Sequence, residues 1–253
     1  MTSSRVAVIT GAGSGIGHAM LRRVLQERLA VVASDLVTDA LTDLDGRPDV
    51  AVVTGDITER HVVEEMIATA IERFGRLDVL VNCAGRPDRY RGVDECTIEE
   101  WEHGLALHLT APFEACRLAV PYMLEAGEGL IVNVSSASGW TGGNGGAAYT
   151  SAKHALVGLS QSIAAMYAED GIRCIVICPG MTQTGASVVM QSMREAGELS
   201  QRSEVTRART RGAYVRKADP DELGELLAHL VRGGDALLNG AVLTADSGYS
   251  AYR

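Results

Sequence analysis

Tyr149 and Lys153 stand four residues apart in a run that reads as helix, Ala147-Ala148-Tyr149-Thr150-Ser151-Ala152-Lys153. Residues at that spacing share one helical face. A phenol ordinarily ionises near 10, about three units too high for base work at neutral pH. A nearby ammonium favours the phenolate, and the positive ring of an oxidised nicotinamide would add to that. Such a pair is therefore a physical route to a tyrosine general acid/base. Ser136, thirteen residues earlier, closes a strand-like apolar run. A hydroxyl there can hydrogen-bond a substrate oxygen and hold it against the phenol. Alone, a Tyr-x-x-x-Lys pair is most often a solvated surface pair, so it gains meaning only with the rest.

The second constellation is a glycine loop made of Thr10, Gly11, Ala12, Gly13, Ser14, Gly15, Ile16 and Gly17. It follows the apolar run Val6–Thr10 and precedes a helical stretch. Glycines allow the tight turn, and the free N–H groups of the helix start then face phosphate oxygens. Its spacing is G-x-x-x-G-x-G, not the G-x-G-x-x-G dinucleotide fingerprint. Asp35 ends the second strand, eighteen residues after Gly17. An acid there can accept from both ribose hydroxyls of an adenosine and repels a 2′-phosphate. No Lys or Arg lies between Val31 and Thr38, so the pattern favours NAD over NADP. The plain structural reading of Asp35 is a solvent-facing acid at a strand end.

The elements that must position these groups alternate along the chain. Seven strands read as Val6–Thr10, Ala30–Ser34, Ala51–Thr54, Val79–Asn82, Leu130–Val134, Ile172–Cys178 and Ala241–Ala245. Most are continuous apolar runs, which suits strands buried on both faces. Helices read as Ile16–Arg28, Glu59–Phe74, Ile98–Leu124 and Tyr149–Glu169. The alternation predicts a doubly wound α/β fold with a seven-stranded, mostly parallel sheet and helices on both faces. The chain reads as a single nucleotide-binding domain over 1–253, with a helical insertion at about 182–216 near the sheet edge. The arginines of that insertion are expected to face solvent or pair with Glu195, Glu198 and Glu204.

Composition removes several classes. The net charge is −9 and only 4% of residues are aromatic. An acidic, aromatic-poor chain is a poor candidate for nucleic acid. No apolar run approaches the roughly 20 residues needed to span a bilayer, and the start is too short for a signal-peptide core. Five scattered cysteines, Cys83, Cys96, Cys116, Cys174 and Cys178, make no disulfide framework and no zinc spacing. The expectation is a cytoplasmic protein with no metal.

Together these residues resemble the short-chain dehydrogenase/reductase family, and the resemblance covers essentially the whole length. The motifs come in family order: the Thr10–Gly17 loop, Asp56, Asn82-Cys83-Ala84-Gly85, Ser136, Tyr149-x-x-x-Lys153, and Pro179-Gly180 followed by Thr184. The resemblance implies a Rossmann-type fold and a hydride transfer between NAD(H) and a secondary alcohol or ketone. In that reading Tyr149 exchanges a proton with the substrate, and Ser136 polarises its oxygen. Lys153 binds the nicotinamide ribose and lowers the tyrosine pKa. Asp56, with Ile57 beside it, meets the adenine. Asn82, Ala84 and Gly85 line the adenosine side, and Pro179, Gly180, Thr182 and Thr184 follow the nicotinamide end. Ser138 is a weaker candidate for a substrate contact. A homo-oligomer, tetramer or dimer, is also implied.

The sequence departs from the family pattern at one site position. The asparagine that usually follows a tryptophan by seven residues is His108 here, counted from Trp101. In the family that asparagine holds a water joining the lysine to solvent. A histidine could hold the same water, titrate near neutrality as a relay, or merely pack. The alternative function is thus a catalytically impaired NAD-binding regulatory or scaffold protein of the same fold. Near the C-terminus, Asp246-Ser247-Gly248 replaces a more usual glycine pair.

Overall fold

A computed structural model describes residues 4–44, 46–210, 216–234 and 236–252. Seven strands run through it: β1 (Val6–Thr10), β2 (Ala30–Asp35), β3 (Val50–Thr54), β4 (Val79–Asn82), β5 (Gly129–Val134), β6 (Ile172–Pro179) and β7 (Val242–Ala245). They form one sheet in the order β3-β2-β1-β4-β5-β6-β7, and all six pairings are parallel. The helices are α1 (Gly15–Gln26), α2 (Arg60–Phe74), α3 (Ile98–Leu105), α4 (Ala111–Ala126), α5 (Ala147–Met166), α6 (Ala186–Glu195), α7 (Gln201–Thr210) and α8 (Pro220–His229).

The apolar runs work as expected for a sheet covered twice. Along β1, Val6 and Val8 join one core cluster with Met66 of α2 and Ala119 of α4. Their neighbours Ala7 and Ile9 join another with Met20 of α1 and Leu227 of α8. Successive side chains of a strand point to opposite faces, so one unbroken apolar run fills two cores. Among the described residues no helix is long and apolar enough to cross a membrane.

The stretch read as helix over Ile98–Leu124 is helical throughout, with one irregular turn inside it. α3 opens on a capping box, with the Thr97 side chain accepting from Glu100 N–H and the Glu100 carboxylate accepting from Thr97 N–H. The chain then makes a π turn over Ala106–Thr110 before α4 continues. A π turn inserts a residue and turns the following side chains, and His108 lies in it. The 182–216 stretch carries α6 and α7, and Thr182 also bridges Ala218 in parallel. Arg202 pairs with Asp94 at 2.7 Å and Arg216 with Glu222 at 2.6 Å, while Glu198 takes Arg89 at 3.1 Å. Asp94 and Arg89 lie across the fold, which the local sequence could not show, whereas Glu222 is only six residues from Arg216. Arg211 and Tyr214 lie outside the described residues, and nothing is described of the Glu204, Arg207 and Arg209 side chains.

Candidate active site

Parallel strands leave their C-terminal ends along one edge, and ligands bind where the strand order reverses. Here that point lies between β1 and β4. The two loops at this switch point touch. A Cβ on Gly11, whose φ is +71°, would come within 2.8 Å of Ala84 Cα. Only glycine adopts this φ freely and leaves that space. The Thr10 hydroxyl accepts from both Cys83 N and Ala84 N at 3.0 Å. Thr10 therefore joins the loops rather than presenting its side chain to a ligand.

The glycine loop keeps its donors available. Ser14 is the N-cap of α1 but makes no side-chain cap, and no acid stands in the first turn. The free N–H groups and the positive end of the helix dipole are thus left for an anion. Ile16 is half-buried at the start of that helix, and a Cβ on Gly17 would sit 2.0 Å from Gly11 O. Asp35 Oδ2 accepts from Gly13 N at 2.8 Å, and Oδ1 from Val37 N at 3.2 Å. A carboxylate offers about four lone-pair sites, so acceptor capacity remains. These residues fit the pyrophosphate and ribose of a dinucleotide. Asp56 Oδ1 accepts from Thr58 N at 2.9 Å and Thr58 Oγ1 at 2.8 Å. That backbone N–H leads the interactions holding the carboxyl below its usual range. Ile57 beside it is buried.

Asn82 takes a different position from that implied. Its side chain is buried and donates to Asn133 Oδ1 at 2.8 Å. Asn133 in turn donates to Ser160 Oγ at 2.9 Å, tying β4, β5 and α5 together. Asn82 thus shapes the cleft from beneath, leaving Ala84 and Gly85 at its wall. Pro179 ends β6, and a Cβ on Gly180 would come within 2.9 Å of Asp246 Cα. Thr182 Oγ1 turns back to Gly180 O at 3.3 Å. The Thr184 methyl would lie 3.2 Å from a Cβ on Gly15, which puts Thr184 beside the glycine loop. The resemblance had placed it toward the nicotinamide end.

The catalytic candidates converge at the ends of β5 and α5. Ser136 caps the short turn Ala137–Gly139, its Oγ accepting from Ser138 N at 3.1 Å. Ser136 is also among the groups that act on the Tyr149 phenol, in the direction that favours its ionisation. Lys153 is 4% exposed and donates from Nζ to Val134 O at 2.9 Å. Its Nζ lies 5.7 Å from the centre of the Tyr149 ring. Ser135 Oγ donates to Lys153 O at 2.9 Å and ties the strand end to the helix. Burial lowers Lys153 to about 8.

Burial pushes the Tyr149 phenol well up, and Ser136 only partly opposes it. Asp88 and Tyr90 raise it further. Burial disfavours the charged phenolate, so this tyrosine holds its proton at neutral pH.

Of the readings open for His108, packing is the one its surroundings favour. It is 3% exposed, and its Nδ1 has no hydrogen-bond partner. Burial first, then the charges of Lys153 and Arg86, push its pKa well below the ordinary value. It is therefore a neutral imidazole across the physiological range and not a titrating relay. Gly85 makes room for it, since a Cβ there would come within 3.1 Å of its Cε1.

Two groups at the site, Asp88 and Tyr249, escaped the sequence reading. Asp88 Oδ2 accepts from Gly146 N at 2.7 Å, just before α5. Tyr249, wholly buried, donates to Asn144 Oδ1, so the C-terminal segment touches the glycine-dense loop before Tyr149. Ser138 Oγ is buried without a partner. Ser138 is the weaker candidate already singled out by its closeness to Ser136, whereas Asp88 and Tyr249 had no local signal. Among the described residues no cluster of ligating side chains could hold a metal.

Known proteins resemble this chain over most of its length. The family described as short chain dehydrogenase matches residues 5–195. A 3beta-hydroxysteroid dehydrogenase 2 of Eggerthella lenta is 38% identical over 99% of this chain and 96% of its own. The short-chain dehydrogenase/reductase cdmF of Talaromyces verruculosus is 34% identical over 97% and 96%. Among solved structures, levodione reductase superposes with a TM-score of 0.87 at 27% identity, covering 98% of each chain. A 4-hydroxyisoleucine dehydrogenase complexed with NADH has the same fold, with a TM-score of 0.84 at 24% identity over 98% and 99%.

Proposed function

This chain belongs to the short-chain dehydrogenase/reductase family, and we propose that it transfers a hydride between NAD(H) and a secondary alcohol or its ketone. The observation that carries the proposal is the junction of three side chains. Ser136 acts on the Tyr149 phenol, favouring its ionisation, and Lys153 stands one turn along α5 with its ammonium 5.7 Å from the centre of the same ring. The nicotinamide supplies or accepts the hydride when bound. The rest is done by this chain's own groups.

Ser136 and the Tyr149 hydroxyl hold the substrate oxygen from two sides. Tyr149 keeps its proton in the buried cleft, so it is set to deliver that proton to a carbonyl oxygen during reduction. In the oxidative direction it takes the proton back, which needs a lowered pKa. An ammonium has three donors, and Lys153 uses one on Val134 O. The remaining donors suit the hydroxyls of the nicotinamide ribose. Gly11, Gly13, Ser14, Gly15 and the first turn of α1 receive the pyrophosphate, with Thr184 alongside. Asp35 accepts from the adenosine ribose, and its charge disfavours a 2′-phosphate. Asp56 and Ile57 flank the adenine.

The steroid-oxidising name of one relative and the exposed Trp140 and Met181 near the site support an alicyclic substrate. The test is NADH formation and consumption over a panel of secondary alcohols and ketones that includes 3β-hydroxysteroids. Turnover that vanishes in Tyr149→Phe supports the proposal. Cofactor binding with equal turnover in both proteins overturns it.

A further inference from the structure

The segment Asp88–Arg91 follows the loop after β4. It meets α5 just before Tyr149. Asp88 Oδ2 accepts from Gly146 N at 2.7 Å, and Arg91 O accepts from Ala147 N at 2.9 Å. These are donors at the start of α5 that no residue of the helix itself can satisfy. The fit is tight. A Cβ on Gly146 would lie 2.6 Å from Asp88 Oδ2 and 2.7 Å from Arg91 N. On the other side, a Cβ on Gly145 would lie 2.6 Å from Tyr149 Cδ1. Two glycines thus form a thin wall between this segment and the tyrosine ring. Asp88 is itself held, since its Oδ1 accepts from Tyr90 N at 3.2 Å. Tyr90 completes the turn with φ +55°, an uncommon conformation for a bulky residue.

We infer that Asp88 is a positioning residue for Tyr149: it grips the start of the tyrosine helix through Gly146 and fixes a negative charge beside the phenol. The inference rests on the reading of Tyr149 as the proton-exchanging group. The gripping half acts through geometry, because the helix start sets where the ring lies against Gly145. The charge half acts through proton affinity, because a nearby anion disfavours the phenolate. The same direction of effect is seen at Tyr149, where Asp88 is among the groups that raise it. The surroundings of Asp88 are specific. Glu100 of α3 faces it, with Arg89 and Arg91 both paired to Glu100, and Cys96, Tyr90 and Tyr149 complete the titratable neighbours. Burial raises Asp88, and the N–H groups of Gly146 and Tyr90 oppose that.

The test uses the whole chain and needs neither substrate nor cofactor. Amide hydrogen exchange is followed over 142–149 in wild type, Asp88→Asn and Asp88→Ala. Nitration of Tyr149 by tetranitromethane, which reports the phenolate fraction, is followed by peptide mass spectrometry in the same proteins. Asp88→Asn keeps an acceptor for Gly146 and loses the charge. It should exchange like wild type and nitrate Tyr149 roughly threefold faster, the equivalent of about half a pKa unit. Asp88→Ala should exchange at least about tenfold faster over 142–149 alone, as expected when a helix start loses its acceptor. Wild-type nitration in Asp88→Asn, or wild-type exchange in Asp88→Ala, overturns the inference. So does faster nitration accompanied by equal loosening in both variants, since that is a structural effect only. The pH profile of NADH-linked turnover supplies a separate check, its oxidative acid limb moving to lower pH in Asp88→Asn. Absence of turnover in wild type counts against the proposed function, while exchange and nitration still judge the clamp.

Discussion

The imidazole of His108 meets the ring of Tyr149 edge to face, with centroids 4.8 Å apart and planes at 81°. The contact depends on the π turn over Ala106–Thr110, which carries His108, and on Gly85, which leaves it space. An edge-to-face aromatic pair is worth roughly 0.5–1.5 kcal/mol beyond its burial. His108 is therefore a neutral wall against which the phenol rests, with Nδ1 left over as one free polar atom.

A buried neutral histidine makes stability depend on acid. Its folded pKa lies well below the unfolded value of 6.5. Below about 6.5 the unfolded chain binds a proton that the folded chain does not, so stability falls as pH falls toward the folded pKa. The slope from this group is about 1.4 kcal/mol per pH unit. Denaturant unfolding of wild type and His108→Asn between pH 4 and 8 should diverge below about 6.5, with the variant less acid-sensitive. Parallel curves would mean that His108 is protonated in the fold.

Tyr149→Phe removes the only phenol oxygen beside Ser136 and keeps the ring that His108 packs on. NADH-linked turnover should fall by about 10²–10⁴, the usual contribution of a general acid/base. Cofactor affinity, read by protein fluorescence, should stay within about twofold, since the group removed exchanges protons with substrate. A loss of binding equal to the loss of rate would assign Tyr149 to the cofactor instead.

Asp35→Ser deletes a carboxylate that the glycine loop holds through Gly13 N. Hydrogen bonds to charged groups contribute roughly 1.5–3 kcal/mol, so NAD affinity should weaken about tenfold or more. NADP affinity should rise, because the repulsion of a 2′-phosphate is gone. Titration calorimetry with both cofactors measures this. Unchanged preference would place the selecting group elsewhere.

Asn133→Leu takes the oxygen acceptor from the buried Asn82 amide, leaving it only Cys116 Sγ at 3.5 Å, while the Ser160 hydroxyl keeps its bond to Leu156 O. A buried group that loses its partner costs roughly 1–3 kcal/mol. The variant should show a lower denaturant midpoint. Folded variant should still bind cofactor, because neither asparagine offers its side chain to the cleft. Near-native stability with lost binding would return Asn82 to the ligand's side.

Much of this was legible in the chain. The apolar runs gave the strands because burial on both faces leaves an unbroken signature, and the largest error there was a residue at an end. The glycine loop was legible because a turn with φ +71° at Gly11 and +53° at Gly15 needs glycine. Ser136, Tyr149 and Lys153 were legible because their spacing along the chain carries over to a strand end and one helix face. What the sequence could not carry was anything set by neighbours distant in the chain. Asp88 reaches Gly146 across 58 residues, and Tyr249 reaches Asn144 across 105. Thr10 and Asn82 stand in ligand-binding motifs, yet the fold turns their side chains to Cys83, Ala84 and Asn133. The proton affinities were decided the same way. Burial, which a sequence does not display, is the leading influence on the proton affinity of Tyr149, as it is at His108. Sequence determined which groups are present and which lie on a common element. Tertiary packing alone decided what surrounds them, and surroundings fix both where a proton sits and which polar atoms remain free.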